Sequence, residues 1–97
     1  MVVWRVLSEA TKSYLLLVGA NLRRLRLKRA LTQERLAEIA EMDVRYLQRI
    51  ECGSVNLRFQ SFIHLAKALS VSPGQLLRKT DIPAPRVGRP PSGRRTT

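Results

Sequence analysis

The middle of this 97-residue chain contains two short helix-forming segments separated by a very short turn. Thr32 and Asp43 are typical N-cap residues, because their side-chain oxygens can accept hydrogen bonds from the free amides of a first helical turn. Gly53 follows the second segment and readily adopts the left-handed conformation that ends a helix. The spacing predicts helices over residues 32–40 and 44–51 that cross at a steep angle through a turn of about three residues.

Three further helices are predicted around this pair. The first covers residues 21–29 and the fourth covers residues 59–69, both with apolar side chains at helical spacing. The last begins at Ser72, which is followed by Pro at the first helical position and Gln at the third. The fold class is therefore all-α, a compact five-helix bundle over residues 19–78. Small Ala37 is expected where the two central helices approach most closely, and their shared core is expected to contain Leu36, Ala40, Met42, Leu47 and Ile50.

Residues 1–18 form an N-terminal extension to this domain. Residues 2–7 (VVWRVL) indicate a β-prone or extended segment, and from Ser8 the chain continues into an apolar stretch compatible with a helix. Two interpretations stay open. The extension is either a dimer-forming element or a loosely ordered leader that includes non-native translation upstream of the true start.

Residues 79–97 form a basic tail rich in Pro, Gly, Arg, Ser and Thr. The tail is predicted to be disordered, because it has too few apolar side chains to offset chain entropy. Arg86, Gly88, Arg89 and Pro90 resemble the Gly-Arg-Pro core of an AT-hook, whose arginine enters the narrow minor groove of A·T tracts. Non-specific attraction to phosphates is the simpler alternative.

The charge balance indicates a polyanionic partner. Eighteen Lys and Arg against seven Asp and Glu give a formal net charge of +11, which suits nucleic acid or an anionic membrane surface. The longest apolar run, residues 15–20, is far shorter than the ~20 residues that a membrane span requires. We expect a protein of the cytoplasm, associated with the nucleoid.

Catalytic and metal chemistry have little support in the composition. Cys52 is the single cysteine and His64 the single histidine, so an intrachain disulfide is excluded and a metal site or an acid-base pair is disfavoured. His64 is expected to be an exposed helix residue and Cys52 a free thiol at a helix end. We expect neither a cofactor nor enzymatic activity.

The second central helix has an outward face made of Val44, Arg45, Gln48 and Arg49. This face contains two arginines and no acid, so it can enter the major groove of double-stranded DNA. There arginine pairs with the edge of guanine, and valine contacts the methyl group of thymine.

Three runs carry a resemblance to a known family. They are LTQERLA at residues 31–37, DVRYLQRIECG at residues 43–53 and LAKALSVS at residues 65–72. Over residues 18–77 the chain resembles the Cro/CI, or XRE, family of prokaryotic and phage regulators. Asp43, Tyr46 and the pair at residues 56–57 also resemble, more weakly, the controller proteins of restriction-modification systems.

The resemblance implies a lambda-repressor-like domain that binds an inverted repeat as a homodimer. Carried over by position, Gln33 would hold a phosphate and brace the recognition helix, and Val44, Arg45 and Arg49 would face bases. Asn56 and Arg58 would contact the DNA backbone. Arg26 of the first helix would pair with Glu51 at the end of the recognition helix, in a partly buried ion pair.

Two positions depart from the family pattern. Glu41 stands at the turn position usually held by Gly, so it must adopt a left-handed conformation at some cost or change the shape of the turn. Leu57 and Arg58 replace the usual Pro-Ser pair before the fourth helix. That helix is therefore expected to lack a side-chain cap and to gain a cation beside the DNA.

The sequence thus favours a transcriptional regulator that is sequence-specific, dimeric and prokaryotic or phage in origin, with a tail that adds salt-sensitive affinity. Two other functions stay open. One is an antitoxin whose terminal extensions mask a toxin while the domain represses its own operon. The other is an architectural DNA-binding protein with little sequence preference.

Overall fold

The computed structural model describes residues 2–79, and within that range the regular structure is entirely α-helical. The five helices are α1 (Val2–Lys28), α2 (Gln33–Ile39), α3 (Val44–Cys52), α4 (Phe59–Ala68) and α5 (Pro73–Leu76). The predicted all-α class and the number of helices are confirmed for this part of the chain. The tail from residue 80, including the AT-hook-like Arg86, Gly88, Arg89 and Pro90, lies outside the described residues.

The first helix begins much earlier than the sequence predicted. α1 runs without interruption from Val2 through the proposed domain boundary at residues 18–19, so both the extended interpretation of residues 2–7 and the predicted start near Asn21 are wrong. The valines lower helix propensity by only a few tenths of a kcal/mol each. Extending an existing helix costs less than nucleating a new one, so this weak local preference is overridden.

The core lies between the second half of α1 and the other four helices. Leu36, Ala37, Ala40, Leu47 and Ile50 are buried as predicted, whereas Met42 is only partly buried and packs against the edge of the core. The remaining buried apolar side chains are Leu17, Val18, Leu22, Leu25, Phe62, Leu65, Ala66, Leu69 and Leu76.

Buried polar contacts fix the C-terminal end of the domain to α1. The amide nitrogen Nδ2 of Asn21, which is fully buried, donates to the carbonyl oxygens of Leu76 at 2.9 Å and Arg78 at 2.8 Å. These bonds satisfy carbonyls at the end of α5 that have no partner within the helix. The point at which the chain leaves the domain is therefore determined by a residue 57 positions earlier.

Gly19 allows α1 to approach the end of α3 very closely. A Cβ atom at this position would lie 2.6 Å from the carbonyl oxygens of both Ile50 and Glu51. Only glycine leaves room for this contact, because those neighbours are backbone atoms that cannot rotate away. A glycine in a helix interior normally costs up to about 1 kcal/mol in stability, and here it makes the packing of α1 on α3 possible.

The predicted N-caps of α2 and α3 and the glycine that ends α3 are confirmed. Thr32 Oγ1 accepts from the amide of Arg35 at 3.0 Å, and Asp43 Oδ2 accepts from the amide of Arg45 at 3.1 Å. Gly53 ends α3 with a φ of 71°. As expected, Arg58 precedes α4 without a side-chain cap.

Candidate nucleic-acid interface

The turn between α2 and α3 takes the left-handed form at Glu41. Its φ is 59°, a conformation that costs a non-glycine residue on the order of 1 kcal/mol. The amide of Met42 donates to the carbonyl oxygen of Ala37 at 2.9 Å and closes the turn. The buried Ala37 side chain leaves space for α3 to pack close to α2. The turn therefore keeps the geometry that glycine usually provides in the family that the sequence resembles.

The outward face of α3 is polar and largely exposed. Arg45, Gln48 and Arg49 are exposed and Val44 is half-buried, while the opposite face of α3 is buried in the core. No acidic side chain lies on the outward face within α3. This face is convex and cationic, and its width is that of a single helix, which the major groove of B-DNA accommodates.

Arg26 and Glu51 form an ion pair beneath this face. Arg26 Nε lies 2.6 Å from Glu51 Oε2, and Arg26 Nη2 donates to Glu51 Oε1 at 3.2 Å. The two side chains are only 9% and 4% exposed. Arg26 Nη1 also donates to the carbonyl oxygen of Leu31 at 2.8 Å. Two parallel bonds fix both the distance and the angle between α1 and the end of α3.

Gln33 extends this polar contact towards the surface. Its Nε2 donates to Glu51 Oε1 at 3.0 Å, and its Oε1 accepts from Gln48 Nε2 at 3.2 Å. Gln33 therefore links the first residue of α2 to two positions of α3. The side chain, half-buried, is already oriented in the protein alone.

Tyr46 connects α3 to the loop before α4. Its hydroxyl oxygen accepts from the amide of Arg58 at 3.1 Å, and the Arg58 guanidinium lies 5.4 Å from the centre of the Tyr46 ring. A cation at this distance is attracted by the ring. Asn56 and Arg58 are both exposed on this loop, and Tyr46 fixes the position of Arg58 relative to α3.

The same contacts change the acidity of the phenol. Burial alone would raise the pKa of Tyr46, but hydrogen bonds with Arg58 and Ser61 and the charge of Arg58 together outweigh burial, so the pKa lies below its ordinary value. The Tyr46 side chain is half-buried and packs against the edge of the core. Its contact with Arg58 was not anticipated, because nothing in the local sequence links residues twelve positions apart.

His64 lies on α4, and Cys52 ends α3 one helical turn after Gln48 and Arg49. His64 is half-buried, with Nδ1 3.3 Å from the carbonyl oxygen of Ala40, so the expectation of an exposed residue is wrong. α4 packs this residue against the end of α2, whose last carbonyls lack helical partners. Cys52 is exposed and has a free thiol.

Other types of site find no support in the part of the chain that is described. Across residues 2–79, no group of three or more His, Cys, Asp or Glu is arranged to hold a metal ion. None of the helices in this range is long and apolar enough to cross a membrane.

Comparison with known proteins agrees with this geometry. A family model described as a helix-turn-helix domain matches residues 17–79. The HTH-type transcriptional regulator y4dJ from Sinorhizobium fredii is 38% identical over 65 residues, which are 67% of this chain and 84% of that protein.

Solved structures give the same result. The restriction-modification controller protein C.AhdI from Aeromonas hydrophila is 35% identical, with a TM-score of 0.63 over 64% of this chain and 94% of that one. The hypothetical transcription factor NHTF from Neisseria is 28% identical, with a TM-score of 0.65 over 67% of this chain and 75% of that one. The clp gene regulator ClgR from Corynebacterium glutamicum is 26% identical, with a TM-score of 0.64 over 66% and 68% of the two chains.

Proposed function

The chain belongs to the XRE-type family of helix-turn-helix DNA-binding transcription regulators, and from this premise we propose that it binds an inverted-repeat operator as a homodimer, with α3 in the major groove. A two-fold symmetric dimer presents two copies of the same helix, so its operator has two half-sites in inverted orientation. The centres of the half-sites would lie about one helical turn, 10–10.5 base pairs, or a multiple of it apart. The regulator would act on prokaryotic or phage DNA in the cytoplasm.

The observation that carries this proposal is the outward face of α3 above a buried ion pair. Arg45 and Arg49 are exposed and free of acidic neighbours on α3, and the Arg26–Glu51 pair fixes the helix that presents them. Base-specific contacts need this rigidity, because bidentate bonds to a base edge tolerate little misalignment. In this proposal the residues that face bases are Val44, Arg45, Gln48 and Arg49.

Contacts to the DNA backbone would come from the two ends of the same surface. Gln33 begins α2 at one side, and Asn56 and Arg58 lie on the loop at the other. Such contacts set the register of a protein on DNA without reading its sequence. The basic tail, with Arg86, Gly88, Arg89 and Pro90, would add affinity through phosphates or the minor groove, and this part of the affinity would depend strongly on salt.

The deciding experiment is a selection of bound sequences from a random pool of double-stranded DNA. The expected result is an inverted repeat with a fixed half-site spacing. A pool without a recurring motif, with equal affinity for all sequences at fixed salt, would instead support an architectural protein and refute the proposal.

Single substitutions then assign the contacts. Replacing Arg45 or Arg49 with Ala is expected to weaken binding to the selected site by roughly 1–3 kcal/mol and to relax the preference at one base position. Arg23→Ala is the matched control, because it removes the same charge from an exposed position on α1. If all three variants lose the same affinity on every DNA sequence, α3 does not read bases.

A further inference from the structure

The first half of α1 is a helix without a packing partner in the single chain. Every side chain described from Val3 to Tyr14 is exposed, although the segment includes several large apolar residues. Its first turn contains no acidic residue to complement the helix dipole. Most helical stability in proteins comes from packing of an apolar face. A second surface that covers this segment would therefore stabilise it beyond what it gains as the continuation of the packed half of α1.

One side of this segment borders an apolar groove of about 510 Å³. The groove lies between α1 and the region where α4 begins and α5 ends, and none of its described lining residues is charged. The large side chains that line it include Leu7, Tyr14, Leu15, Phe59, Phe62 and Leu77. We call this surface the α1 groove.

The exposed apolar area at the α1 groove is comparable to the largest apolar patch on a typical soluble monomer. Phe59 is 75% exposed, and Leu7, Tyr14 and Leu77 are each exposed by between two fifths and three fifths. Val3, one helical turn before Leu7, continues the same stripe. Since a fully exposed aromatic side chain presents about 150–250 Å², these five residues together present on the order of 500 Å². Patches of this size on soluble proteins are commonly interaction sites.

We propose that the α1 groove is the interface through which two copies of this chain pair. The proposal rests on the homodimer proposed above and assigns its contact surface. Two such patches face to face would bury about 1,000 Å², and the surrounding rim would bring the total into the range of specific interfaces. A two-fold axis matches the patch with itself, so no second kind of surface is required.

The chemistry of the groove disfavours the other candidate occupants. The tail begins beside the groove, just after Leu77, but residues 80–97 contain four arginines and few apolar side chains. Burying those charges in a groove without acids would be unfavourable. A second copy brings an equivalent uncharged surface, so the basic side chains that give each chain a net charge of +11 need not be buried.

The α1 groove is also compatible with DNA binding. No residue of α2 or α3 lines it, so Arg45 and Arg49 stay free in a dimer. The first half of α1 precedes residue 17, where the match to the family model begins. One wall of the groove is therefore formed mainly by residues outside the family match, and the other wall by residues within it.

The experiment measures the mass of the full chain without DNA by analytical ultracentrifugation. At about 1–100 µM the wild type is expected to approach twice the mass of the 11.0 kDa chain. Leu7→Glu is expected to raise the dissociation constant of the dimer about a hundred-fold or more, because the two-fold axis places the buried charge in the interface twice. Leu27→Glu is the matched control. Leu27 is 52% exposed and Leu7 is 56% exposed, but Leu27 lies at the other end of α1 and does not line the groove.

A second variant tests the other wall of the groove. Phe59→Glu changes α4 and is expected to dissociate the dimer as Leu7→Glu does, whereas deletion of residues 80–97 is expected to leave the dimer intact. Circular dichroism spectra with unchanged helix content would show that both point variants fold.

Three results would overturn the assignment. They are a wild type that stays monomeric at the highest concentration, a dimer that survives both Leu7→Glu and Phe59→Glu, and a dimer lost on removal of the tail. A protein that is monomeric in solution but binds phosphatidylserine vesicles, and loses this binding in Leu7→Glu, would also overturn the assignment. The groove would then bind a membrane surface. Failure of the proposed function can be distinguished from failure of this interface. A protein that dimerises through the groove but selects no DNA sequence would refute operator binding and leave the interface supported.

Discussion

Glu51→Gln removes one charge from the buried ion pair while keeping the size of the side chain. Arg26 then remains 9% exposed with no counter-charge. The glutamine retains one carbonyl oxygen, so one of the two hydrogen bonds from Arg26, at 2.6 Å and 3.2 Å in the wild type, can persist. The guanidinium also keeps its bond to the carbonyl oxygen of Leu31.

The expected loss of unfolding free energy follows from the buried Arg26 charge that Glu51→Gln leaves without a partner. Removing one partner of a buried ion pair typically costs about 3–5 kcal/mol, because the other charge stays buried and uncompensated. Because Arg26 keeps some of its hydrogen bonds, the destabilisation by Glu51→Gln is expected near the lower end of this range, at about 3 kcal/mol. A domain of this size has a total stability of roughly 5–15 kcal/mol, and its melting temperature would fall by on the order of 12–24 °C.

The assay is denaturant unfolding, followed by circular dichroism, of Glu51→Gln, Arg26→Met and the double variant. The double variant leaves no buried charge without a partner. Its loss of unfolding free energy is therefore expected to be smaller than the sum of the losses in the two single variants, by about 1.5 kcal/mol or more. Glu38→Gln is the control, because it breaks the Arg35–Glu38 pair, whose side chains are 58% and 72% exposed, and should cost roughly 0–1 kcal/mol. Small, additive losses from both single variants would refute the reasoning.

Three further predictions test other contacts. Gly19→Ala should destabilise the fold by about 1–3 kcal/mol in thermal unfolding, because its Cβ would lie 2.6 Å from two backbone oxygens, whereas Gly74→Ala, with open space around it, should be neutral or slightly stabilising. Equal effects would contradict the close packing of α1. Tyr46→Phe should cost about 1 kcal/mol at neutral pH through the lost bond to the Arg58 amide. Because the pKa of Tyr46 is lowered on folding, the advantage of the wild type should grow as the pH rises through the folded pKa, and a constant difference would argue against that contact. Deleting residues 80–97 should leave the melting temperature unchanged but flatten the salt dependence of DNA binding, measured by fluorescence anisotropy, and a lower melting temperature would contradict an independent domain.

The helix ends around the candidate interface could be predicted from the sequence alone. The caps at Thr32 and Asp43 each use a hydrogen bond to an amide within three residues, so their chemistry is complete in the local sequence. The same holds for Gly53, whose positive φ depends on its own missing side chain. The apolar spacing of α2, α3 and α4 identified the buried faces, and therefore also the polar face of α3 that was left outside.

The family resemblance predicted one long-range contact, the Arg26–Glu51 ion pair, that the local sequence did not predict. Arg26 and Glu51 are 25 positions apart, and the residues themselves indicated only that an arginine near the apolar stripe and an acid at a helix end each needed an explanation. The contact between Tyr46 and Arg58 had no such indication, and only the folded chain brings them together.

The tertiary structure decided where α1 begins, why Gly19 is needed and how the α1 groove forms. The sequence of residues 2–7 favours strand locally, and the continuing helix overrides this preference. Gly19 gave no local signal for its role, because its requirement comes from carbonyl oxygens more than thirty residues away. Caps and apolar periods depend on interactions within a few residues, which the sequence contains completely. Close approaches and grooves depend on where separate helices meet, and that is fixed only when the whole core packs.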